Sequence, residues 1–115
     1  MNNGSIDQSV FNELQEATGS DFIKELVETF LEEVPRIFAE LRNAISTGDE
    51  DQFRRGAHSI KSNAQTFGLV LLAEQARKME MAGLGADMDA SNAQISALDD
   101  EFQRTATALK GMLNG

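Results

Sequence analysis

Apolar positions along the chain recur with the period of an α-helix and almost nowhere with the alternation of a strand. From Phe22 to Ile45, the residues Ile23, Val27, Phe30, Val34, Ile37, Leu41 and Ala44 follow spacings of four and three, the signature of one buried helical face. Thr18 and Ser20 offer N-caps for this helix, and Gly48 with Asp49 punctuates its end. Pro35 removes an interior hydrogen bond, but the stripe keeps its phase across it, which predicts a kinked rather than a split helix. A second helix is predicted to start near Asp49 or Glu50 and to bury Phe53, Ala57, Ile60, Ala64 and Phe67, with Gly68 as its break. Leu69, Leu72, Ala76 and Met79 mark a third helix ending near Gly83. The stretch from Gly83 to Ala90 reads as a loop, after which Ser91 is placed to cap a last helix with the stripe Ile95, Leu98, Phe102, Thr105 or Ala106, Leu109 and Met112. Ahead of these, Ile6 to Glu16 forms a short helix contributing Val10, Phe11 and Leu14.

Four long helices with one greasy face each, joined by short connections, predict an all-α fold: an antiparallel four-helix bundle with a short additional N-terminal helix. Its 115 residues suit one domain, with residues 1–17 as an N-terminal segment and residues 18–115 as the bundle. Along the first long helix the apolar arc is wider than one seam requires, because Phe22, Leu26, Leu31 and Phe38 flank the main stripe. Burial against a second neighbour accounts for such an arc, and an exposed docking surface beside the site described next is the alternative. No second unexplained seam remains, so a monomer is expected.

Composition narrows the chemistry. No cysteine is present, which removes disulfides, thiolate nucleophiles and cysteine metal sites together. A formal charge of -9 repels a phosphate backbone, so the expected partner is a protein and not a nucleic acid. No apolar run approaches a bilayer span and no basic-then-apolar leader opens the chain, so no membrane association and a cytoplasmic location are expected.

The single histidine, His58, carries the candidate chemistry. At 100° per residue the buried stripe of its helix is centred about 140° away, so the imidazole should face outward, with Arg54, Lys61 and Gln65 within about 60° of it and Ser62 alongside. From Gln52 to Ala73 there is no Asp or Glu, where roughly four would be proportionate, and Arg54, Arg55 and Lys61 stand there instead. Such a patch suits an anion on the ring, phosphate above all. An exposed, neutral imidazole keeps a ring nitrogen lone pair for attack on phosphorus, and Lys61 one turn away supplies a mobile cation.

The run Ala57-His58-Ser59-Ile60-Lys61-Ser62-Asn63-Ala64-Gln65-Thr66-Phe67-Gly68 resembles the signature of histidine-containing phosphotransfer (HPt) domains: a small residue, His, any residue, an apolar residue, Lys, a small residue, and Gly ten positions after the His. The resemblance extends through Phe30, Pro35, Leu41 and Gly48-Asp49 upstream and Leu72, Ala76 and Glu80 downstream, spanning about residues 21–83. It implies that His58 is the phosphoryl acceptor, that Lys61 stabilises the phosphate, and that Gly68 lets a receiver domain approach closely. Arg54, Arg55, Ser62 and Gln65 complete the expected partner surface. Ser62 departs from the glycine most often found after the Lys. Glu80 stands where some members carry Gln, and it is assigned no role; Asn63, which points away from His58, is assigned to structure.

On this resemblance the chain accepts a phosphoryl group from a receiver aspartate and passes it to another receiver, within the phosphorelays of hybrid sensor kinases and response regulators. It would need no cofactor of its own, the Mg²⁺ belonging to the receiver, and would have no autonomous kinase activity. The same features fit a stand-alone protein and a domain of a hybrid kinase. A histidine-kinase dimerisation domain is disfavoured, since an acidic residue normally follows its His and Ser59-Ile60-Lys61 follows here. A metal-binding bundle is disfavoured because Arg55, not Glu, precedes His58 by three. A non-catalytic helical adaptor is the remaining alternative.

Overall fold

The computed structural model describes residues 6–85 and 87–114, the side chain of Asn114 apart. Five helices follow one another: α1 (Gln8–Thr18), α2 (Ser20–Thr47), α3 (Glu50–Thr66), α4 (Val70–Ala82) and α5 (Met88–Asn114). Helix α3 packs on α2 and α4, and α5 packs on the same two, so the four long helices close into a bundle, with α1 laid against α2 and α3. Among the described residues no helix is long and apolar enough to cross a membrane.

The predicted stripes form the core. Ile23, Val27, Phe30, Val34, Leu41 and Ala44 of α2 are buried, as are Phe53, Ala57, Ile60 and Ala64 of α3, Leu72, Ala76 and Met79 of α4, and Ile95, Leu98, Phe102 and Leu109 of α5. Phe30 lies 5.2 Å from Phe67 and 5.8 Å from Phe102, and Phe38 meets Phe102 edge-on at 5.8 Å. These tilted rings tie α2 to α5 and to the α3–α4 corner. Phe38 is thus a core residue, while Ile37 is only half-buried. Helix α2 runs through Pro35 unbroken.

Two turns explain the antiparallel path. Gly48 adopts the left-handed conformation (φ 73°, ψ 28°), the Asp49 N–H bonds the Ala44 carbonyl at 2.9 Å, and the Asp49 carboxylate accepts the Gln52 N–H at 3.0 Å. One dipeptide therefore ends α2 and caps α3. Gly68 repeats the left-handed geometry (φ 73°), but its carbonyl accepts the Asp7 N–H at 2.6 Å, within an isolated antiparallel bridge between Ile6 and Leu69. The N-terminal segment thus clips over the α3–α4 corner and buries Ile6 and Phe11.

Three expected caps are corrected. Neither Thr18 nor Ser20 caps α2: Thr18 ends α1 and donates its hydroxyl to the Leu14 carbonyl at 2.8 Å, and Ser20 is already helical. Gly19 alone separates the two helices at φ 89° and ψ 156°, a conformation open essentially to glycine only. Ser91 does not cap α5 and is buried inside it. Asp87 does so, accepting from the Asp89 and Ala90 N–H groups at 3.0 and 3.2 Å, so the helix begins within the expected loop. Its first turn buries no apolar side chain, Met88 and Ala90 being exposed, and an apolar stripe that starts at Ile95 cannot reveal it.

A β-carbon on Gly68 would fall 2.8 Å from the Asp7 carbonyl oxygen and 2.9 Å from the Val10 side chain, whereas one on Gly48 would meet nothing. Gly48→Ala should therefore cost only the backbone strain, about 1 kcal/mol, and Gly68→Ala about 1–2 kcal/mol more. Urea denaturation of the two variants checks this, and equal losses would mean that the N-terminal segment does not press on the corner.

Candidate functional site

Burial of Phe53, Ala57, Ile60 and Ala64 turns the opposite side of α3 to solvent, and the His58 side chain stands 57% exposed there. Arg54, Arg55, Ser62 and Gln65 are exposed with it. Lys61 is largely covered, its side chain 22% exposed. Asn63 is half-buried and donates to the Ser59 carbonyl at 2.9 Å, a bond within the helix. Gln65 lines a shallow groove between the end of α3 and α4 together with Val10, Ala73 and Arg77. Gly68 is buried, and the atoms that crowd it are those of Asp7 and Val10 in the same chain.

The decisive neighbour comes from α4. Glu80 reaches across so that its Oε2 lies 2.8 Å from Nδ1 of His58, while its Oε1 lies 2.7 Å from Nζ of Lys61. One carboxylate thus joins the ring and the lysine. The charge pattern of the sequence is corrected here in two ways. The stretch without acids along α3 does not make a carboxylate-free surface, because Glu80 returns one to the histidine itself. Arg54, expected to face the ring's anion, pairs instead with Glu50 at 2.8 Å, and the same Glu50 oxygen accepts the Leu84 N–H at 3.1 Å. Arg55 makes no ion pair among the described residues.

Sequence reasoning gave Glu80 no role because register between helices is not visible along one of them. A usable signal did exist: a tight helical hairpin brings together residues numbered symmetrically about its bend, and His58 and Glu80 are symmetric about Leu69.

The geometry selects a tautomer. A nitrogen 2.8 Å from an ionised carboxylate oxygen must carry the proton between them, so Nδ1–H donates to Glu80. Nε2, which has no hydrogen-bond partner among the described residues, then keeps its lone pair, with Lys61 one helical turn along α3. Glu80 itself is held below the usual carboxylate range, chiefly by its hydrogen bond from Lys61, with the His58 contact adding and desolvation opposing.

The chain belongs to the Hpt-domain family, whose model matches residues 25–112. In fold it is similar to histidine-containing phosphotransfer protein B (HptB) of Pseudomonas aeruginosa PAO1, whose crystal structure aligns with a TM-score of 0.85 over 98% of this chain and 97% of that one, at 24% sequence identity. No curated protein matches the sequence.

A depressed Glu80 favours the folded state above the unfolded carboxylate value of about 4.3, and that contribution is lost as pH falls through the lowered folded value. Lys61→Ala should raise the Glu80 titration towards the ordinary range by more than His58→Gln does. Carbon-13 NMR of the side-chain carboxyl checks both, and a Lys61→Ala titration that does not move would remove Lys61 as the leading cause.

Proposed function

We propose that this protein is a phosphoryl carrier in a multistep phosphorelay, taking the group from a receiver-domain aspartate onto Nε2 of His58 and handing it to the aspartate of another receiver. One observation carries this reading: in a chain of the Hpt family, the only histidine stands exposed with Nδ1 anchored to Glu80, Nε2 without a hydrogen-bond partner among the described residues, and Lys61 held by the same carboxylate.

Nε2 attacks the acyl phosphate in line, the receiver carboxylate leaves, and Lys61 exchanges its Glu80 contact for the incoming phosphoryl oxygens. The receiver supplies the Mg²⁺ that shields its own aspartate, and this chain needs no cofactor. It has no autonomous kinase activity: it carries no glycine-rich nucleotide loop, so labelled ATP alone leaves it unlabelled. Arg54, Arg55, Ser62 and Gln65 form the surface that meets the receiver, whereas Gly68, buried beneath Asp7 and Val10 of the same chain, is withdrawn from the close approach expected of it. The protein acts as a monomer in the cytoplasm, away from nucleic acid and membrane.

Mixed with acetyl-phosphate-charged receiver domains, the protein should acquire an acid-labile, alkali-stable phosphate on His58. His58→Gln should abolish the label while changing stability by no more than about 0.5 kcal/mol, as expected of an exposed site. Lys61→Ala should keep the label but slow its appearance about tenfold or more, the worth of one hydrogen bond to a charged group. A His58→Gln protein that still passes phosphate between receivers would end the proposal.

A further inference from the structure

Neutral imidazole has a single N–H, and here that proton lies between Nδ1 and a carboxylate oxygen 2.8 Å away. Phosphorylation at Nε2 uses the ring's free lone pair and leaves the Nδ1 proton with two possible fates. Released to water, it would leave the Nδ1 lone pair facing an ionised carboxylate at hydrogen-bond distance, an uncompensated repulsion. Retained, it keeps a charge-assisted hydrogen bond and makes the ring a phosphoimidazolium. The second state is the better donor, because N–P cleavage then releases neutral imidazole instead of imidazolide.

We propose that Glu80 is a positioning residue that keeps the Nδ1 proton on the ring throughout the transfer cycle, so that phosphorylated His58 remains in its discharge-ready, protonated form. This rests on the phosphocarrier reading above. The step balances without any proton moving. On loading, the Nε2 lone pair forms the N–P bond, and the receiver carboxylate departs with the electrons of the broken O–P bond. On discharge, an incoming carboxylate forms the new O–P bond, and the N–P electrons return to Nε2.

Two features of the site support the assignment. Glu80 divides its oxygens, Oε2 to the ring and Oε1 to Lys61. Lys61 can therefore move to the phosphoryl group without disturbing the proton's partner. The other charged groups near the ring are already committed: on α3, Arg54 is tied to Glu50, and on α4, Arg77 is tied to Glu74 at 2.7 Å. Arg55 on α3 is exposed, and among the described residues no ion pair or hydrogen bond reaches His58 from α1, α2 or α5. Among the described residues Glu80 is thus the one carboxylate bonded to the ring.

The test uses the full chain with nitrogen-15 histidine, phosphorylated on His58 with potassium phosphoramidate, and follows the Nδ1 resonance from mildly acidic to alkaline pH. Glu80→Gln retains a carbonyl able to accept the N–H but loses the charge, so its Nδ1 proton should be released about one pH unit or more below that of the unmodified chain, a tenfold loss of proton affinity. Lys61→Ala, which keeps the carboxylate, should not lower the midpoint. Coincident midpoints for Glu80→Gln and the unmodified chain would overturn the proposal, as would an equal drop in Lys61→Ala. Failure of His58 to take phosphate from charged receivers would instead remove the carrier reading on which it rests.

Discussion

Helix α3 has little choice about its rotation. Phe53, Ala57, Ile60 and Ala64 are large or close-fitting enough, and buried completely enough, that turning the helix by even a third of a revolution would bring Lys61 or Arg54 into the core. The outward aim of His58 follows from this packing and needs no local device to hold it. Gly56 tightens the constraint from another side: a β-carbon there would lie 2.8 Å from the Leu41 side chain, so α2 and α3 meet too closely for α3 to roll.

The second requirement is a partner helix at the right height. Gly68 and Leu69 reverse the chain with backbone bonds from Gly68 to Gln65 and from Leu69 to Ala64, and α4 returns alongside α3. Glu80 then arrives opposite His58 and Lys61 because the bend is short and both helices are straight enough to stay in step. A chemical feature of the site therefore depends on the length of a turn some ten residues distant.

The stripes were legible in the sequence because burial leaves a periodic trace, and the five helices, the core of each and the exposure of His58 all follow from it. Caps were less legible. Asp87, Ser91, Thr18 and Ser20 are all chemically able to cap, and the choice among them is made by where neighbouring helices must begin to pack. The contacts between elements were least legible: Glu80 reaches His58 and Lys61 from α4, and Glu50 reaches the Leu84 N–H, and charge counted along one helix could not register a carboxylate delivered by another; the Glu50–Arg54 pair, four residues apart on α3, is the exception. The family signature named His58 and Lys61, but it carried no information on how one acid would be shared between them.

The strap formed by Ile6 and Asp7 over the α3–α4 bend bears on where this unit can be cut. The family match opens at Glu25, inside α2, yet Ile6 and Phe11 are seated in the same hydrophobic core as Phe30 and Phe67. A shortened chain trimmed to the match would lose the lid over that core, expose the Gly68 carbonyl and sever α2 within its first turns. The packed core therefore reaches back at least to Ile6, some twenty residues before the boundary that family likeness draws.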